Sequence, residues 1–244
     1  MHPILKTYRM PLAACIFLAV ALQGQAVQNA IPGTALVPAV WYESDRGVTT
    51  VDGVVGVWGD LSGNGNNASQ ANAANRPALV VAALPNGRPT LRFNGTDRLL
   101  FATGLLAQNW TCFAVARPNW DDNQKSLVCG GTASFQWRVK RNMDMDGGFQ
   151  NIVKRSVVQL LTGSTLVPTN SYNLLCARYA ERLPAADLTL RLNRAADGAG
   201  TVSASNFTNP TTEIAGGELF RGDIAALVVF TNALSDAEVE SVER

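Results

Sequence analysis

The sequence predicts an all-β protein, mainly antiparallel and closed by one short C-terminal helix, and three observations predict it. Short apolar runs recur along the chain between Gly, Asn, Asp and Pro residues; several of these runs alternate apolar with polar; and the one clear helix signal lies at the C-terminal end. The runs fall at 89–93, 99–102, 111–116, 135–139, 157–161, 172–179, 188–192 and 224–230. Many short strands with frequent turn signals indicate a sandwich or a barrel.

Alternation supplies the face of each strand. In Leu188-Thr189-Leu190-Arg191-Leu192 the leucines share one side, and in Phe135-Gln136-Trp137-Arg138-Val139 the odd positions do, so one face is expected to be buried and the other wet. Asn86-Gly87 and Asn94-Gly95 tolerate positive φ and suit tight turns. At the C-terminus, Ser235-Asp236-Ala237-Glu238 has capping-box spacing, and Leu234 can staple against Val239. Trp41 and Trp58 lie in apolar or turn-motif contexts and are expected in the core, as is Trp137 from its strand phase.

The chain has 244 residues, 47% hydrophobic and 16% charged, a size that all-β domains reach as one body. Lys6 and Arg9 precede the apolar stretch 10–22, and Gly24-Gln25-Ala26 offers small residues for cleavage, so residues 1–26 are expected to be a secretory signal. The stretch is shorter than the roughly 20 residues of a membrane span. Residues 27–34 read as a linker and 35–244 as the domain, placed outside the cell or on its surface, with no membrane span after signal removal.

Twenty basic residues stand against 19 acidic, and no basic stripe tracks a phosphate backbone, which excludes nucleic acid as the expected partner. The only histidine, His2, lies within the expected signal, so histidine bases, Ser-His and Cys-His pairs and histidine-ligated zinc are excluded from the mature chain. Cys112, Cys129 and Cys176 remain there, an odd number in apolar contexts; three buried thiols and one disulfide plus a thiol are both open.

Three segments in order resemble the bacterial laminin-G-like, concanavalin-A-like lectin/glucanase superfamily. The first is Trp58-Gly59-Asp60-Leu61-Ser62-Gly63-Asn64-Gly65-Asn66-Asn67-Ala68 with Arg76-Pro77, and the second is Asn86-Gly87-Arg88-Pro89 running into Leu91-Arg92-Phe93-Asn94-Gly95-Thr96-Asp97. The third is Phe220-Arg221-Gly222-Asp223-Ile224-Ala225, then Val228-Val229-Phe230 and Ala233-Leu234-Ser235-Asp236-Ala237-Glu238. The resemblance implies a two-sheet antiparallel jelly-roll sandwich with a short C-terminal helix. Ala226 stands where relatives usually carry an acid, so a role placed on that acid does not transfer.

Calcium, bound by hard oxygen ligands, is the metal commonest in folds of this kind, and Asp60, Asp97 and Asp223 are the acids inside the resembling segments. Aspartates on turns also hydrogen-bond their own backbone, and both readings stand. Asp144-Met145-Asp146-Gly147-Gly148 lacks the further acids of a calcium loop and reads as a solvated turn. For sugar binding, which needs an aromatic face beside polar side chains, Trp120 with Asp121 and Asn123 is the best candidate.

The expected function is a secreted or cell-surface recognition module for carbohydrate or an extracellular protein. A glycoside hydrolase or lyase needs two flanking carboxyl groups. The nearest acid pattern, Glu238, Glu240 and Glu243, falls on the expected helix, so hydrolysis is the second reading and an adhesive spacer the third.

Overall fold

The structure, a computed structural model, describes residues 29–101, 105–106, 108–119, 124–129, 135–141, 149–155, 158–169, 171–204, 212–216 and 220–244. It is all-β, with one short α-helix. The chain begins with β1 (Val40–Glu43), β2 (Val48–Val51), β3 (Val54–Trp58), β4 (Ala68–Ser69), β5 (Ala78–Val80), β6 (Thr90–Asn94) and β7 (Leu99–Phe101). The middle holds β8 (Trp110–Pro118), β9 (Gln124–Cys129), β10 (Phe135–Arg141), β11 (Phe149–Arg155) and β12 (Val158–Val167). Then come β13 (Asn173–Arg182), β14 (Ala185–Leu192), β15 (Ala195–Ser203), β16 (Thr212–Ile214), β17 (Arg221–Phe230) and α1 (Asp236–Val242).

Every strand pairing among the described residues is antiparallel. The last strand is central: β17 pairs with β1 and β6 along one edge and with β8 along the other, and β8 continues to β13, β14 and β15. One extra residue is accommodated between Ile224 and Ala226 where β17 faces β8. Such a bulge shifts the alternation, so Ile224 and Leu227, three apart, both belong to the main core.

β17 is apolar on both sides because it is covered on both. Ile224, Leu227 and Val229 join the main core with Trp58, Trp110, Trp137 and the leucines of β14. Val228 and Phe230 join a second cluster with Trp41, Phe113, Cys176, Leu234 and Val239. Ile31 belongs to that second cluster too. The terminal helix thus caps the outer face of the sheet.

The helix starts as expected. Glu238 N donates to Ser235 Oγ at 3.3 Å and Ser235 N donates to Glu238 Oε2 at 2.7 Å, the reciprocal capping box. Arg178 fixes its approach, donating from Nη1 to Leu234 O at 2.7 Å and pairing with Asp236 at 2.7 Å. Glu243, at the helix end, forms a bidentate pair with Arg191 of β14: Arg191 Nε reaches Oε1 at 3.0 Å, and Nη2 reaches Oε2 at 2.8 Å.

Other expectations meet the structure unevenly. The leucines at 188, 190 and 192 are buried on one face, and Trp41, Trp58 and Trp137 are all buried. Asn86-Gly87 and Asn94-Gly95 turn with φ of 78° and 96° at the glycines. On β10, however, Gln136 and Arg138 are buried along with Trp137 and Val139, so this strand is covered on both faces instead of wet on one. Cys112, Cys129 and Cys176 are all buried and stand outside any disulfide. Cys112 lies in the main core and Cys176 in the second cluster, on opposite faces of the β8–β13 pair, where no bond could join them. Among the described residues no helix is long and apolar enough to cross a membrane.

Candidate functional site

The site begins with strand register. Because β17 lies between β6 and β8, Asp223 stands directly across from Arg92 on one neighbour and from Arg117 on the other. Cross-strand neighbours on one face are within reach of charged side chains. Arg92 donates to Asp223 through Nε to Oδ1 at 2.8 Å and through Nη2 to Oδ2 at 3.1 Å. Arg117 Nη2 donates to Oδ2 of the same carboxylate. Tyr172 OH adds a third donor at 3.0 Å, and the Arg117 guanidinium lies 5.1 Å from the centre of its ring.

Asp223 is 2% exposed. Burial alone would push its carboxyl up, but hydrogen bonds and charge from Arg92 and Arg117 outweigh that and hold it below the usual carboxylate range. Burial pushes the Tyr172 hydroxyl up, and the neighbouring Asp223 charge adds to that, so at neutral pH it stays protonated and able to donate.

Around this cluster opens a cleft of about 400 Å³. Arg92, Arg117, Arg221 and Asp223 line it with charge, and Asn94, Asn119 and Thr169 with neutral hydrogen-bonding groups. Gly222 forms part of the wall at φ 147°, and a Cβ there would meet Arg117 O at 2.3 Å. The strands approach this closely only because position 222 has no side chain. Asn119 N donates to Arg221 O at 3.0 Å, carrying the pairing one step past the end of β8.

The sequence-derived candidates are scattered. Trp120, Asp121 and Asn123 lie outside the described residues, although the preceding Asn119 lines the cleft. Asp144 and Asp146 also lie outside them. Of the three aspartates considered for calcium, only Asp223 is in the cleft.

Asp60 organises its own loop: Oδ1 accepts from Trp41 N at 3.0 Å and Ser62 N at 2.9 Å, and Oδ2 from Ser62 Oγ at 2.8 Å and Asn66 N at 3.0 Å. Asn64 and Asn66 donate from that loop to the backbone of Ala39, the latter at 2.9 Å, so the Gly- and Asn-rich segment braces β1. Asp97 is buried and accepts from Asn94 N at 2.9 Å, with burial raising its carboxyl above the ordinary value. The set Asp60, Asp97 and Asp223 therefore does not fit a shared calcium ion, which takes six to eight oxygens. Two of these carboxylates serve turns and the third serves arginines. Among the described residues no three His, Cys, Asp or Glu side chains are grouped so as to hold a metal ion.

Arg92, Arg117 and Arg221 were not singled out from the sequence, although Arg92 and Arg221 sit inside the resembling segments. The signal was a polar residue at a fixed phase in an apolar strand, Leu91-Arg92-Phe93, and its partner is 131 residues away.

No family model and no curated protein matches the sequence. Solved structures do match in fold. Domain 4 of AbnA, an extracellular GH43 arabinanase from Geobacillus stearothermophilus solved in complex with arabinotriose, superposes with TM-score 0.62 at 14% identity, covering 85% of this chain and 98% of that domain. The sialidase of Trypanosoma rangeli, solved with the inhibitor DANA, matches with TM-score 0.56 at 12% identity over 90% of this chain, which spans 36% of the sialidase. The receptor-binding domain of botulinum neurotoxin type G matches with TM-score 0.53 at 12% identity, covering 85% of this chain and 51% of that one. At these identities the likeness is one of fold, shared with carbohydrate-binding and glycosidase structures.

Proposed function

We propose that the protein is an exported recognition module of the laminin-G-like, concanavalin-A-like type, a two-sheet jelly roll that binds carbohydrate in the cleft between β6, β8 and β17. The observation that carries this reading is the cleft itself, about 400 Å³ with convergent arginine, asparagine and threonine side chains. Sugar hydroxyls ask for fixed polar donors and acceptors in a concave site. The matching arabinanase domain, solved with arabinotriose, supports a saccharide over a protein partner. Export rests on the character of residues 1–26, and a glycan at the cell exterior is the partner that location offers.

Hydrolysis has less support. Glycosidases use two carboxyl groups about 5 to 9.5 Å apart, whereas the cleft has Asp223 as its one acid among the described lining residues, already tied to two arginines. Of the helix acids, Glu238 caps the helix and Glu243 pairs with Arg191.

A glycan array probed with the protein, once with calcium and once with a chelator, tests the proposal. Saccharide binding that is lost in Asn119→Ala supports it. A blank array in both conditions, with a partner pull-down also blank, overturns it. Any calcium dependence would need ligands beyond Asp60, Asp97 and Asp223 acting together.

A further inference from the structure

The cleft does not end at its charged cluster. Asp223 faces Arg117 across β17 and β8, and past the bulge the next pair on the same side is Ala226 with Val115. Phase fixes the side: Ile224 and Ala116, which lie between these pairs, belong to the main core, whereas Val228 and Phe113, one step further along, belong to the second cluster. Alternate residues of a strand are about 7 Å apart, so Val115 stands that far from Arg117 along β8.

Ala226 and Val115 border an apolar groove of about 170 Å³, whose wall also includes Trp41, Phe113, Leu174 and Val228. The neighbouring strands form its flanks, with Trp41 of β1 opposite Val228 and Leu174 of β13 opposite Val115. Val115, Leu174 and Ala226 are only half-buried, so apolar surface stays open on the sheet face that the terminal helix caps elsewhere. Polar cleft and apolar groove thus form one strip along the β8–β17 pair. An engineered cavity of about 150 Å³ lined by Leu, Ile and Phe stays dry and takes benzene. The groove therefore has room for one aromatic ring.

From this we infer that cleft and groove together take an aryl-substituted saccharide, its sugar hydroxyls against Arg92, Arg117 and Asn119 and its aryl group against Val115, Leu174 and Ala226. The inference rests on the recognition reading above and adds the second half of the ligand. A further sugar ring would turn hydroxyls toward Val115, Leu174 and Ala226, whose side chains offer no hydrogen bond. Glu43, which also borders the groove, is already engaged: it accepts from Trp41 Nε1 at 3.0 Å and pairs with Arg46 at 2.9 Å.

Isothermal titration with matched methyl and para-nitrophenyl glycosides of L-arabinofuranose, D-galactose and D-xylose, and with para-nitrophenol alone, tests the extended site. For at least one sugar the aryl glycoside should bind about tenfold more tightly than its methyl partner, the scale of burying part of one ring. Ala226→Leu fills the groove and should erase that ratio with the melting temperature unchanged. Val115→Thr keeps the shape, puts a hydroxyl in the wall and should narrow the ratio. Asn119→Ala should weaken both members of a pair by the same factor. Equal binding of methyl and aryl partners, a ratio unmoved by both groove variants, or para-nitrophenol binding as tightly as the glycosides overturns the extended site and leaves saccharide recognition standing. Absence of binding by every glycoside does the same when the glycan array is positive, and overturns both readings when the array is blank.

Discussion

Two buried carboxylates in this molecule are held by arginine, and they do different work. Glu243 meets one guanidinium, that of Arg191, whose Nε and Nη2 both engage the carboxylate while Nη2 also donates to Arg194 O at 2.6 Å. Asp223 is shared by two guanidiniums that keep part of their surface open. Both acids are 2% exposed, but Arg191 is 21% exposed against 47% for Arg92. Stoichiometry is the difference. A one-to-one pair is neutral, saturated and sealed, and it fastens the terminal helix to β14. A one-to-two arrangement lines a cleft with guanidinium edges that remain partly exposed.

The sharpest way to break this comparison is Arg191→Ala. It would leave Glu243 buried with no guanidinium, and truncating one partner of a buried pair costs about 3 kcal/mol. Urea unfolding should show that loss; a change below about 1 kcal/mol, the scale of a surface pair, would mean that the two sites do not differ as described.

Arg92→Gln should cost less, about 1 kcal/mol at pH 6, because Arg117 and Tyr172 still hold Asp223. Its pH dependence sharpens the point. The folded Asp223 carboxyl lies below its unfolded value of about 3.9. Its contribution is therefore complete above about pH 4 and is lost as pH falls through the depressed folded value. The gap between variant and parent should close on that acid limb, and a gap that widens there would contradict the assignment.

Asp97→Asn should do least. Burial raises the folded carboxyl of Asp97, so its contribution to stability is present below the unfolded value and lost as pH rises through the folded one. At neutral pH an amide that still accepts from Asn94 N should change stability by no more than about 0.5 kcal/mol. A large loss in melting temperature seen only in the presence of calcium would instead make Asp97 a metal ligand.

The all-β, antiparallel character was legible in the sequence because strand alternation and turn residues are local. The leucines of β14, the Asn-Gly turns and the Ser235–Glu238 capping box all follow from neighbours within a few positions. β15 was harder: Ala195–Ser203 carries Gly198 and Gly200 and little apolar alternation, and it is a strand because it pairs along β14. The buried Gln136 and Arg138 show the converse, polar residues covered by structure that local phase does not anticipate.

The site was legible only in part. Asp223 stood out as an acid in a recurring motif, but its role depends on Arg92 and Arg117, which strand register brings to its two sides. Nothing near Asp223 in the chain distinguishes a metal ligand from a carboxylate clamped by guanidinium. The same holds for Asp60, whose four donors are gathered from Trp41, Ser62 and Asn66.

The buried cysteines of the β8–β13 pair have a further consequence. Burial pushes the Cys112 and Cys176 thiols well above their ordinary values, so they are protonated as well as shielded. Alkylating reagents attack the thiolate and need access, so labelling at these positions must wait for the β8–β13 pair to open. The protein thus carries its own clock: the rate at which a maleimide or iodoacetamide adduct accumulates would time that opening in the native population, with no engineered probe.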